Sequence, residues 1–164
     1  MLLFLDIDGT ILPFGSSRPY PLYEGPEGPV AAGHPLLARA DPGLGGRLAA
    51  LGCVLVWATT WTTEDANDLL APWLGLPPLP TVDWPDPPPD EEGVRHWKTR
   101  SLVEWAAGRP FVWVDDEIGA VDRAWVAAHH PAPALLHRVD HRYGLTDADF
   151  MVVREWLGGG SELL

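Results

Sequence analysis

Cysteine is almost absent from this chain. Cys53 stands alone among 164 residues, so no internal disulfide can form, and its apolar neighbours suit a buried small hydrophobe. Basic residues are scarce too: 11 Lys and Arg face 23 Asp and Glu, a net charge of −12. A surface of that sign repels a nucleic-acid backbone in general, so long nucleic acid is not expected as a partner. The densest positive stretches are Arg95, His96, Lys98 and Arg100, and then Arg138, His141 and Arg142. No apolar run is long enough to span a bilayer, so no membrane partner is expected. No basic segment precedes the apolar residues 1–5, which argues against a signal peptide. With the lone cysteine, these absences point to a reducing cytoplasm. There is no internal repeat.

What is present is a chain built for a core. It is 46% hydrophobic, too apolar for general disorder, and its length allows one sizeable core but not two ordinary domains. Apolar runs alternate with helical patterns. Strands are expected at the start of the chain, around 53–58, at 111–114 and at 134–139; helices are expected near 41–51, 63–74, from about 98, over 119–129 and from Thr146 to Leu157. On the 119–129 helix, Val121, Trp125 and Ala128 are expected on one face. That alternation implies a parallel sheet with helices on both faces. Residues 13–35, rich in Pro, Gly and Ser, read as a flap or extended loop. Residues 75–93 read as a Pro-rich connector with a short strand at Thr81–Trp84. Residues 1–157 are thus taken as one domain and 158–164 as a mobile tail.

Four short stretches carry chemistry. In Asp6-Ile7-Asp8-Gly9-Thr10 an apolar strand ends in two acids, and Gly9 allows a sharp turn. Open α/β sheets bind ligands at such strand ends. The bland alternative, an acidic turn, loses ground because the rest of the chain supplies matching parts. Cys53 to Ala58 leads into Thr59 and Thr60, whose hydroxyls can donate to a phosphoryl oxygen. Thr62 to Asp65 makes a better cap for the following helix, which leaves those hydroxyls free. His96-Trp97-Lys98 opens a helix, and a cation in a first turn opposes the helix dipole unless an acid or an anion is near. Phe111 to Val114 runs into Asp115, Asp116 and Glu117, adjacent carboxylates that repel one another without a cation. Set beside Asp6 and Asp8, they make a hard-oxygen Mg²⁺ site.

In this order the four stretches resemble the motifs of the haloacid dehalogenase-like (HAD) phosphohydrolases. The resemblance implies a Rossmann-like parallel sheet and, with too little chain between the motifs for a folded lid, no full cap domain. It implies Asp6 as nucleophile and Asp8 as general acid/base. Thr59, or else Thr60, would hold the phosphate together with Lys98. Mg²⁺ would be held by Asp6, Asp8 through its backbone carbonyl, Asp115 and Asp116, with Asp116 also placed to orient Lys98. The reaction implied is hydrolysis of a phosphomonoester through an aspartyl-phosphate. The open site implies a bulky phosphorylated substrate: a nucleotide, a nucleic-acid end or a phosphoprotein. A narrower likeness is to small HAD-type domains that occur alone or beside RNA-repair modules, on Trp57 to Trp61, His96 to Lys98, Trp113 to Glu117 and Gly144 to Thr146. Trp61 and Trp97, beside the expected site, can stack on a base or pack beneath it. Three other readings remain at this level: a HAD-like phosphotransferase or dehalogenase, a receiver-like signalling domain, and a non-catalytic phosphate-binding domain. The intact Asp8 counts against the dehalogenase, and the early position of the acidic pair against the receiver.

Overall fold

A computed structural model describes residues 1–25, 34–85 and 95–159. Four strands, β1 (Leu2–Leu5), β2 (Val54–Trp57), β3 (Phe111–Asp115) and β4 (Ala134–Arg138), form one parallel sheet in the order β2-β1-β3-β4. β1 and β3 are buried along their whole length, as near-continuous apolar strands must be when helices cover both faces. Leu5 pairs with both Trp57 and Val114, so the three strands finish level. The chain leaves β1 toward β2 and later continues from β3 toward β4. The crevice between β1 and β3 is therefore the switch point where open α/β sheets bind ligands.

Alternation along the strands divides the core. Leu3, Leu5, Leu55, Trp57, Val112 and Val114 pack on one face with α1 (Gly43–Ala49), with α2 (Thr63–Asp65) and its continuation, and with α6 (Asp147–Gly159). Leu2, Phe4, Val56, Phe111 and Trp113 pack on the other with α4 (Lys98–Ala106) and α5 (Ala120–His129). The result is an α/β, Rossmann-like fold, and no cap domain is evident among the described residues.

Local chemistry sets the helix ends. Asp41 Oδ1 accepts the Gly43 N–H at 2.8 Å at the start of α1, and Thr62 Oγ1 accepts the Asp65 N–H at 3.0 Å at the start of α2. After α2 the helix widens into a π-helical segment (Ala66–Leu70) before α3 (Ala71–Trp73). Pro72 explains the widening: it has no N–H to donate, and its ring would meet the carbonyl four residues back in a regular helix. Asn67 Oδ1 on this segment accepts the Trp57 indole N–H at 3.0 Å and the Leu79 N–H at 2.8 Å, and Asn67 Nδ2 donates to Leu79 O at 2.9 Å. One side chain thus fixes the start of the Pro-rich connector against β2.

Several expectations need correcting. The strand at Thr81–Trp84 reduces to one bridge, Trp57 to Thr81, because the prolines on either side cannot donate to a ladder. On α5 the inner face is Asp122 and Val126, with Trp125 half-buried; Val121 and Ala128 are exposed. A carboxylate holds the central buried position, which apolar spacing does not report. α6 runs on through Gly159, so the first two residues of the expected tail are helical. Residues 160–164 lie outside the described residues, as do 26–33 of the flap and 86–93 of the connector. The described parts of 13–35 contain no strand or regular α-helix, and they are tied down by Phe14 N–H to His141 O at 2.9 Å and Tyr23 N–H to Ala38 O at 2.8 Å. No helix among the described residues is long and apolar enough to cross a membrane.

Candidate active site

Asp6 sits one residue beyond β1, and its N–H still reaches Val114 O at 3.1 Å, which pins it beside β3. The chain then turns at once. Ile7 O accepts the N–H groups of Thr10, Ile11 and Leu12 at 3.2, 2.9 and 3.0 Å, and Gly9 N–H returns to Leu12 O at 2.9 Å. Gly9 has φ +80°, and a Cβ there would stand 2.5 Å from Asp116 Cγ. Glycine is required twice over, by the turn and by the approach of the Asp116 carboxylate.

The strand ends bring Asp6, Asp115 and Asp116 together, with carboxylate oxygens within 4.8 Å of one another. They are 5%, 1% and 9% exposed. Lys98, at the first turn of α4, is 4% exposed and donates to Asp6 Oδ1 at 2.6 Å and to Asp115 Oδ2 at 2.9 Å. The acids that the first-turn lysine needed are thus Asp6 and Asp115; the expected orienting contact from Asp116 is not the one that forms. Asp115 is filled further by Trp113 Nε1 at 3.3 Å and by the Glu117 N–H at 2.9 Å.

The balance of charge favours a cation. Burial pushes the Asp6 carboxyl up to about 7; Lys98 opposes this, while Asp115 and Asp116 add to it. Burial also raises Asp116, with Asp115 and Glu117 reinforcing. Burial works against the Lys98 charge, but Asp6 and Asp115 outweigh it and hold the ammonium above its usual range. Three buried carboxylates share one buried ammonium, and each offers hard oxygen. That donor set fits a small hard divalent cation. A second group, His96, Asp115 and Glu117, also lies within ligand distance. There the imidazole is already engaged, its Nε2 against Glu117 Oε2 at 3.0 Å and its Nδ1 accepting the Lys98 N–H at 3.1 Å. The all-carboxylate set is the better fit.

Asp8 is exposed at the mouth of the site, and its Oδ2 accepts the Trp61 indole N–H at 3.1 Å. Thr60 is exposed and lines a cavity of about 150 Å³ with Asp6, Asp8, Phe14, Trp97, Lys98, Asp116 and Glu117. Thr59 lies beneath, 1% exposed; its Oγ1 accepts the Trp61 N–H at 3.2 Å and its carbonyl accepts Trp84 Nε1 at 2.7 Å. The structure thus brings Asp6, Asp8, Thr60, Lys98 and Asp116 to one cavity, with Asp115 bonded beneath Lys98 and Thr59 as a brace for the loop.

Sequence reasoning missed Phe14 and Asp122, and it read Glu117 only as part of the acidic cluster. Phe14 walls the cavity from the loop side. Glu117 fixes His96, which in turn braces the Lys98 backbone. Asp122 on α5 accepts the His96 N–H and the Thr99 hydroxyl, both at 2.7 Å, and so anchors the start of α4. One available signal went unused: Lys98 is the only lysine in the chain.

The family model described as "HAD domain in Swiss Army Knife RNA repair proteins" matches residues 2–150. Among curated proteins and among solved structures, nothing matches.

Proposed function

The chain belongs to the family of HAD domains found in Swiss Army Knife RNA repair proteins, and on that premise we propose that it is a Mg²⁺-dependent phosphatase acting on the phosphomonoester of a nucleotide or nucleic-acid end. One observation carries the reading. A buried carboxylate, Asp6, is held by a buried lysine at the switch point of the sheet, with a second carboxylate, Asp8, exposed two residues on.

Lys98 occupies Asp6 Oδ1, leaving Oδ2 free of a donor among the described residues. In the first step an Asp6 oxygen bonds to phosphorus as the bond from phosphorus to the leaving oxygen breaks, and Asp8 gives that oxygen a proton. In the second step Asp8 takes a proton from water. The water oxygen bonds to phosphorus, the aspartyl-phosphate bond breaks, and inorganic phosphate and free Asp6 result. Lys98 and Thr60 lie where they can hold the non-bridging oxygens through both steps, and Thr59 shapes the loop that presents Thr60. Asp6, Asp115 and Asp116, with the Asp8 carbonyl, would hold Mg²⁺. Bound there, the cation supplies positive charge between the nucleophile and the phosphate it approaches.

The test is release of phosphate from p-nitrophenyl phosphate by the purified protein. Activity that needs Mg²⁺, stops in EDTA and falls at least a thousandfold in Asp6→Asn supports the reading, given what covalent catalysis contributes. Full activity in EDTA would sink it.

A further inference from the structure

A second cavity opens from the mouth of the site. It measures about 270 Å³ and is lined by Asp8, Leu12, Pro13, Phe14, Leu36 and Arg39. Asp8 and Phe14 are common to it and to the cavity over Asp6. That sharing fixes its direction. Asp8 is the group that meets the leaving oxygen, so whatever that oxygen is attached to must extend past Asp8, and the slot begins there. Its walls are apolar. Phe14 is 43% exposed and lies stacked on His141, ring centroids 5.0 Å apart at 29°, which holds the aromatic ring in place. Arg39 also lines the slot, and its guanidinium rests over the ring of Tyr20, a residue of the neighbouring cavity, at 5.2 Å, with no ion pair or side-chain hydrogen bond among the described residues. In a chain of net charge −12, this arginine has no acidic partner among the described residues and stands beside an apolar slot.

We propose that this slot is the leaving-group site, that it takes a nucleoside against Leu12, Pro13, Phe14 and Leu36, and that Arg39 takes the next phosphodiester. The proposal rests on the phosphatase reading above and gives its substrate a direction. An aromatic wall suits a base, because every base has a π face. A guanidinium suits a phosphodiester, because its planar fork matches two phosphate oxygens. A phosphorylated serine or threonine side chain would leave the apolar walls unfilled. The local arginine also answers the electrostatic objection: the molecule as a whole repels a long polyanion, but a short end needs one phosphate recognised beyond the scissile one.

The experiment compares wild type, Arg39→Ala and Arg39→Lys on p-nitrophenyl phosphate, on dinucleotides with a terminal 5′- or 3′-phosphate, and on a phosphopeptide. Binding of the unphosphorylated dinucleotide to each protein is measured separately by calorimetry, and thermal melting checks that each variant is folded. The expected result is a drop of about tenfold in kcat/KM for the better dinucleotide relative to p-nitrophenyl phosphate in Arg39→Ala, with part of it restored in Arg39→Lys, the scale of one charge-assisted hydrogen bond. Dinucleotide binding should weaken in parallel. An unchanged ratio with unchanged binding overturns the proposal, as does a phosphopeptide that outperforms both dinucleotides. If the wild type hydrolyses none of the substrates, the phosphatase reading fails, and the binding comparison still decides whether the slot holds a nucleoside.

Discussion

Asp6 is the residue on which the site is most strained by its own charge. Its carboxyl stands at about 7 against a usual 3.8, pushed up first by burial. A group whose folded pKa is raised binds a proton in the folded protein that the unfolded chain has already released between the two values. Its contribution to stability is therefore present at low pH and is lost as pH rises through the folded pKa. The metal-free protein should thus melt lower at pH 8 than at pH 5.5, and added Mg²⁺ should restore the melting temperature at pH 8 while doing little at pH 5.5. Calorimetric scans with and without EDTA measure this; a melting temperature that rises from pH 5.5 to 8 in EDTA contradicts it. The other residue worth isolating is Trp61, whose indole N–H is the donor on Asp8. Trp61→Phe keeps an aromatic ring, though a smaller one, and removes that donor. The loss in kcat should reach roughly tenfold for an alkyl phosphate, whose leaving oxygen needs the acid, and be several-fold smaller for p-nitrophenyl phosphate. Equal losses on both substrates would mean that Trp61 only packs.

Among the elements, α4 and α5 share an apolar cluster and are tied by hydrogen bonds through one buried side chain. Asp122 accepts the His96 N–H, the Thr99 hydroxyl and the Gly119 N–H, each at 2.7 Å. Asp122→Ala leaves those donors buried without a partner and should cost about 3 kcal/mol. It should also lower kcat in the folded fraction, because the turn it anchors carries Lys98. Urea unfolding and single-turnover kinetics on the same preparation test both parts; a destabilised variant with wild-type kcat would separate α5 from the site. The Asp122 contact also shows where reading the sequence stops. Apolar spacing found α5 and grouped Val121, Trp125 and Ala128 on one face, but the buried face carries Asp122, and no periodicity of apolar residues reports a buried carboxylate. The π-helical segment ahead of Pro72 was likewise invisible, although the proline that causes it was in plain view. Motifs that end strands were legible because both halves of each signal, an apolar run and then acids, are local. Gly9 was legible as a turn. Its second reason, the Asp116 carboxylate 2.5 Å from where a Cβ would stand, depends on a residue far along the chain.

The whole molecule joins what the chain keeps apart. Lys98 meets Asp6 across 92 residues, and Trp61 meets Asp8 across 53, because β1, β2 and β3 end level at the switch point. The site lies at that edge of the parallel sheet with no cap domain evident among the described residues, and a second cavity shares Asp8 and Phe14 with it. The central claim is that Asp6 carries the phosphoryl group. The direct measurement is to quench the protein during turnover with Mg²⁺ and substrate, reduce it with borohydride, and map the peptides by mass spectrometry. An aspartyl-phosphate is reduced to homoserine, so homoserine should be found at position 6, and neither at Asp8 nor in Asp6→Asn. Sustained turnover by wild type with position 6 unmodified, or by Asp6→Asn at more than about a tenth of the wild-type rate, would contradict the account.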